Sequence, residues 1–270
     1  MDTQSIREQM PTLVRGHVPS NARRFQFAIY DGQPKRSTLG FYVDPNPFDG
    51  TVVATTRDAI IVKTGRTQFA VLDRQLVTVA PGDGAKIHVE PYARRRFDGL
   101  RADTPEVQTR NLSDGTSYTS KTYILGSAPA KLPVPSPDCP ELADLISQLE
   151  QLPAPDGFRR ITHMLVDAGA RDFTVVDPSP ANIVVTPPTI GFSVTTAKFC
   201  GQVSILYDRG RDTYVVELHR DTETIERIDD VYFDDLGAVL ERLIDDGGWR
   251  QIKVCVVDKK QTRQRQAPAA

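Results

Sequence analysis

Between residues 24 and 125 the apolar positions come in short bursts that read as strands. RFQFAIYD, STLGFYVDP, TVVATTRDAIIVKTG, TQFAVLDRQLV and KIHVEPY are rich in Val, Ile, Phe, Tyr and Thr, the residues that fit a pleated, half-buried surface. Turn signals separate them: Asp31-Gly32, Pro45-Asn46-Pro47, Asp49-Gly50, Gly65 and Pro81-Gly82-Asp83-Gly84. No interval leaves room for a helix of ten residues. The pattern predicts a small antiparallel β-barrel of the OB or SH3-like kind over residues 1–125, preceded by a short helix near residues 3–9.

Residues 126–140, GSAPAKLPVPSPDCP, hold five prolines. Each proline fixes its own backbone and excludes helix from the residue before it, so this stretch is expected to be an extended linker and the domain boundary. Beyond it the period changes. Leu142, Leu145, Ile146 and Leu149 recur at helical spacing behind a Ser/Asp cap, and GFRRITHMLVDAGA predicts a second helix stopped at Gly169. FTVVD, NIVVTP, GFSVTTAKFC, QVSILYD and DTYVVELHR follow as strands, the last two joined by a hairpin turn at Asp208–Arg211. DDVYFDDLGAVLERLIDD places Val231, Leu236, Val239, Leu240 and Leu243 on one helical face, and QIKVCVV is a final strand. The order predicts an α+β domain over residues 141–257, with helices on a mainly antiparallel sheet. Residues 258–270 are expected to be a disordered basic tail.

Composition changes this picture little, charge rather more. Of 270 residues 39% are hydrophobic and 25% charged, close to globular averages. The net charge of −2 hides an asymmetry: residues 1–135 hold 18 Lys+Arg against 13 Asp+Glu, and the remainder 15 against 22. Separate surfaces for separate partners are expected from such a split. Three widely spaced cysteines, Cys139, Cys200 and Cys255, form no C-x-x-C pair, so they suggest neither a zinc knuckle nor a disulfide framework, and Cys200 and Cys255 read as small core residues. No signal-peptide core and no run of about 18 apolar residues is present, which predicts a cytoplasmic protein with no membrane partner.

The candidate chemistry is mostly cationic. Arg94, Arg95 and Arg96, flanked by Tyr92 and Phe97 and joined by Arg101, Lys63, Arg66 and Arg74, are the candidate nucleic-acid contacts. A clustered positive field with interleaved aromatic rings is what a phosphate backbone and its bases require. In a strand, however, three adjacent arginines cannot all face one way. Asp229, Asp230, Asp234 and Asp235 are the candidate protein-partner face, in a region where acids also suit the start of a helix. Asp212 with Glu217-x-His219 is compared with the acid plus Glu-x-Lys of metal-dependent nucleases, but has histidine in place of lysine and no further acid placed to complete a metal pair. No Walker loop, G-x-G-x-x-G, G-x-S-x-G or H-E-x-x-H occurs.

One stretch carries a family likeness. GTVVATTRDAIIVKTGRTQFAVLDRQLV, then PGDGAKIHVEPY and RRFDG, place Gly65-Arg66 after a strand pair, Asp73-Arg74-x-Leu76 after an apolar run, and Gly84-x-x-Ile87-x-Val89-x-x-Tyr92 beyond it. In this order of features residues 50–99 resemble the KfrB-type domain of plasmid and conjugative-element accessory proteins. They depart from it in an extra residue before Tyr92 and in lacking the histidine ahead of Arg74. The resemblance implies a small barrel in a mobile-element protein associated with DNA maintenance or transfer, and it carries no catalytic residues. The expectation is therefore a non-enzymatic bacterial accessory protein without metal or cofactor. Its basic barrel would engage nucleic acid or an acidic protein surface, and its acidic domain a protein partner or a second copy. A protein inhibitor or DNA mimic acting through the acidic domain is the alternative, and a metal-dependent nuclease the third reading.

Overall fold

The computed structural model describes the chain except residues 114, 125, 127, 222 and 258–270, so the expected basic tail lies outside the described residues. The elements are α1 (Thr3–Leu13), β1 (Gln26–Tyr30), β2 (Lys35–Arg36), β3 (Tyr42–Val43), β4 (Phe48–Thr55), β5 (Ala59–Lys63), β6 (Gln68–Asp73), β7 (Lys86–Glu90), β8 (Glu106–Asn111) and β9 (Ser117–Thr122). They continue as α2 (Pro140–Gln151), α3 (Ile161–Asp167), β10 (Arg171–Val176), β11 (Thr189–Thr195), β12 (Cys200–Asp208), β13 (Thr213–Arg220), β14 (Glu223–Val231), α4 (Leu236–Ile244) and β15 (Lys253–Val256). Among the described residues no helix is long and apolar enough to cross a membrane.

The expected barrel followed by an α+β domain is not what forms. The chain is 37% strand and 17% helix, and among the described residues none of its several sheets closes into a barrel. Two compact units divide at 93/94 and 249/250, not at the proline-rich segment 126–140. The first contains residues 1–35, 43–93 and the C-terminal segment from Arg250; the second contains 36–42 and 94–249. The second unit is thus an insertion between β7 and β15, the last strand of the first.

The first unit is a six-stranded sheet in the order β1-β6-β5-β4-β7-β15. β1 runs parallel to β6, from Gln26↔Gln68 to Tyr30↔Leu72, whereas the other neighbours are antiparallel. An antiparallel barrel was the wrong expectation for this reason: the first strand enters in the opposite sense and the sheet ends on a strand from the far end of the chain. Alternation sends Ile61, Phe69 and Val71 to one face, where they bury Ile6 and Met10 of α1 and Val14 just after it. It sends Ile60, Val62, Ala70 and Leu72 to the other, with Val254 of the last strand and Ile252 just before it. α1 starts where the Asp2 carboxylate accepts from the Gln4 and Ser5 amides, at 3.0 and 3.4 Å.

The second unit is a five-stranded antiparallel meander, β10 to β14 in chain order. Ile190, Phe192 and Val194 of β11, Val203 and Ile205 of β12 and Val216 of β13 pack with Leu142, Leu145, Leu149, Ile161, Leu236 and Leu240 from the helices. The described residues of the proline-rich segment form no helix or strand before Pro140, but the segment is docked and not a linker. Ala128, Ala130 and Leu132 are buried. Its backbone is satisfied by side chains: the Leu132 amide donates to Glu150 at 2.8 Å, and the Asp138 and Cys139 amides to Asp177 at 2.8 and 2.9 Å. β8 and β9 pair only with each other among the described residues. Cys200 and Cys255, expected in the core, are exposed, and Cys139 is the buried one.

Arg159 organises the second unit. Its fully buried guanidinium donates to Asp156 and Asp167, each at 2.8 Å, and to Asp245, and lies over the Trp249 ring at 4.2 Å. These partners come from the loop ahead of α3, the end of α3, the end of α4 and the exit of the unit. Breaking such a cluster strands buried carboxylates. Arg159→Leu is expected to cost about 3–5 kcal/mol, read as a lower urea midpoint, whereas replacing exposed Arg220 by Ala leaves the midpoint within about 0.5 kcal/mol.

Candidate nucleic-acid interface

The three arginines have three different environments. Arg94 is 1% exposed. It donates to the carbonyls of Phe158, Tyr42 and Gly126 at 3.1, 3.3 and 3.5 Å, and lies 4.3 Å from the Phe158 ring centroid. Arg95 is exposed and donates to the Gly99 carbonyl at 3.0 Å. Arg96 pairs with Asp98 at 3.2 Å, and Arg101 with Asp103 at 2.6 Å. Phe97 packs edge-on against Phe173, 5.1 Å between centroids, at the margin of the core. Residues 94–101 therefore form a tight reverse turn in which two of the four arginines pair with a carboxylate two residues on and the other two donate to backbone carbonyls. Tyr92 and Arg74 lie in the first unit, Tyr92 half-buried and Arg74 donating to the Thr56 carbonyl at 3.1 Å. The expected nucleic-acid contacts are thus divided between the two units.

The acidic candidates separate likewise. Asp229 and Asp230 lie on β14, not at a helix start, and are paired: Asp229 with Arg227 at 2.9 Å and Asp230 with Arg211 at 2.9 Å. Asp234 and Asp235 are exposed in the turn before α4, and neither caps it with its side chain. The nuclease trio does not converge. Asp212 accepts from the Tyr207 hydroxyl at 2.6 Å in the β12–β13 turn, while Glu217 is held by Arg227 and by His219 at 3.3 Å. Among the described residues no group of three or more His, Cys, Asp or Glu side chains could hold a metal ion.

The two remaining candidates, Lys63 and Arg66, belong to a surface the sequence reading missed. Lys63 donates to the His17 carbonyl at 2.7 Å, and Arg66 to the Asn21 side chain at 2.8 Å. These two bonds hold the 15–24 loop against the β5–β6 hairpin, and the Gln26 amide bonded to the Thr67 carbonyl at 2.9 Å extends the seam. Exposed Arg15, Arg23 and Arg24 lie within two or three residues along the chain of these two anchor points, His17 and Asn21. Neither segment contains an acid: none occurs from Gln9 to Tyr30 or from Ala59 to Leu72. None of these five cations has an ion pair among the described residues. The available signal was the long acid-free spans, not the density of arginine.

No family model, no characterised protein and no solved structure matches the chain.

Two predictions follow from the burial of Arg94. Arg94→Ala is expected to lower stability by about 3 kcal/mol through stranded carbonyl acceptors and lost packing, and Arg95→Ala to leave it within about 0.5 kcal/mol, both read by urea unfolding. Beside Arg94, the buried His163 ring accepts from the Arg160 amide at Nδ1 (3.2 Å) and donates from Nε2 to the Ala128 carbonyl (3.0 Å). That pattern requires the neutral ring. Burial first, and then the nearby Arg94, Arg160 and Arg159, push its pKa down to about 4. The unfolded chain therefore takes up this proton before the folded one, so stability is full above about pH 6.5 and falls as pH drops toward 4, by about 3 kcal/mol in all. In urea titrations between pH 7.5 and 4.5, His163→Gln is expected to remove most of that decline.

Proposed function

We propose that this is a non-enzymatic accessory protein that holds nucleic acid on the first unit, with Arg15, Arg23, Arg24, Lys63 and Arg66 contacting the phosphate backbone. The observation that carries the reading is that these five cations, on two acid-free segments joined by the Lys63–His17 and Arg66–Asn21 bonds, have no ion pair among the described residues. Counter-ion release from phosphates needs cations whose charge is not already spent on neighbouring carboxylates. Arg96 and Arg101 fail that requirement, and these five meet it. The partition of charge agrees: the first unit holds 16 Lys+Arg against 10 Asp+Glu, the second 17 against 25.

A second surface favours a protein partner. Tyr232 and Phe233 are 58% and 55% exposed and sit immediately before Asp234 and Asp235 in the turn leading into α4. Adjacent exposed aromatic rings flanked by acids suit docking against a basic protein surface. A DNA mimic is less favoured, because Asp229 and Asp230 are neutralised by arginines.

Anisotropy titration of labelled oligonucleotides over a range of salt tests the main reading. Binding is expected to weaken steeply with salt. Replacing Arg23, Arg24 and Arg66 together by Ala is expected to reduce the slope of log K against log salt by about 2 for a single strand. The same triple replacement at Arg95, Arg96 and Arg101 should leave the slope unchanged. Equal slopes for the Arg23/Arg24/Arg66 variant and the intact protein would remove the basis for this reading.

A further inference from the structure

Next to the cationic cluster, and within the same unit, lies a groove of about 650 Å³, inside the range of sites for nucleotide-sized ligands. Its shape follows from the β1–β6 register. Ala28 faces Ala70 across the parallel pair, with Gln26 and Gln68 on one side and Tyr30 and Leu72 on the other. Two alanines where the flanking positions carry long side chains leave a trough in the sheet surface. One end is walled by Tyr30 and Phe48, whose rings are 5.2 Å apart, with the Lys35 ammonium 4.3 Å from the Tyr30 centroid. The other end opens at Thr64 and Gln68, the hairpin that also carries Lys63 and Arg66.

We propose that this groove takes an unstacked base of a single-stranded nucleic acid whose backbone is held by the adjacent cationic cluster. The inference rests on the nucleic-acid reading above and names its ligand class. Three features select this occupant. Ala28 and Ala70 give the groove a small apolar floor, and the Tyr30–Phe48 pair at its end offers a ring face to a base. Gln26 and Gln68 offer amide donors and acceptors at the edge, where a base presents its own. Charge is complementary: Lys35 stands at the wall, while Asp49, the carboxylate lining the groove, is already hydrogen-bonded to His88 at 2.6 Å. A duplex keeps its bases stacked and paired, so it could use the cationic cluster but not the groove.

The test uses the full chain with a labelled oligothymidylate bearing one photoreactive 4-thiothymidine, and a duplex of the same length. Ala28→Leu fills the trough without removing a polar group, and Lys35→Ala removes the wall cation from an exposed position; thermal midpoints check that both remain folded. Single-strand affinity is expected to fall about tenfold in Ala28→Leu and severalfold in Lys35→Ala. Duplex affinity should be unchanged, and cross-links of the intact protein should map to Tyr30 or Phe48. If both variants bind the single strand like the parent and cross-links map only to residues 15–24 or 63–66, the groove assignment is overturned while the phosphate contacts stand. If the intact protein binds neither strand nor duplex, the nucleic-acid reading fails and the groove assignment with it. Protection of the Phe27 and Ile29 amides by an extended peptide, in place of the oligonucleotide, would give the groove to a protein strand added at the β1 edge and overturn the proposal.

Discussion

The second unit is clasped at its two ends by one aromatic ring. Arg94, its first residue after β7, lies on Phe158, and Trp249, its last, packs against the same ring at 6.4 Å between centroids. Arg159, next in the chain, stacks on Trp249 and anchors the clasp to three carboxylates. The clasp matters because β15 pairs with β7 from Lys253↔Glu90 to Val256↔Ile87. Closing so long a loop from an unstructured chain costs about 4–5 kcal/mol of entropy. An insertion that folds with its ends together removes most of that cost before the last strand arrives. Two buried arginines, usually a burden, are retained where they set this closure.

Arginine takes three roles in this chain, and the distance to the nearest carboxylate sorts them. Where acids converge from several elements, as around Arg159, the cation is structural. Where an acid follows two residues later, as at Arg96 and Arg101, the charge is used locally and little field remains for a ligand. Where no acid occurs for a long span, as around Arg15, Arg23, Arg24 and Arg66, the charge stays available. Three arginines in a row look like one cationic surface, yet the tight turn sends them to different surroundings, and one goes inside.

Much of the local structure was legible, and the misses share a cause. Helical spacing of Leu142, Leu145 and Leu149 found α2, the glycine at 169 marked the end of α3, and alternation found β4 to β7 and β11 to β13. Segments whose alternation is written in polar residues were missed. β8, β9 and β14 expose nearly every side chain, so no buried face printed an apolar period on them. The opposite error occurred at Asn182–Pro187, whose Val184 and Val185 look strand-like but are 74% and 85% exposed in a turn segment. Topology was illegible for a different reason. The final strand reads the same whether it completes the nearest sheet or a distant one, and only the packing of Ile252 and Val254 with Val52 and Leu72 decides. The cluster around the 15–24 loop was hidden similarly, because it joins two segments more than forty residues apart through backbone and amide bonds.

A net charge of −2 would ordinarily speak against a nucleic-acid ligand. The objection weakens once charge is assigned to units rather than to the whole. At physiological ionic strength the field of a charge is screened within about 8 Å, so a phosphate responds to the cations it touches and the acids beside them, not to the sum over the chain. Around the 15–24 loop the two contributing segments bring cations and no acid of their own. The carboxylates that make the total negative are concentrated in the second unit, and several are bound to arginines of their own. What the chain total does set is the long-range field at low salt, where an acidic unit repels nucleic acid and the basic one attracts it. Charge segregation then acts on the orientation of approach, and local pairing on affinity.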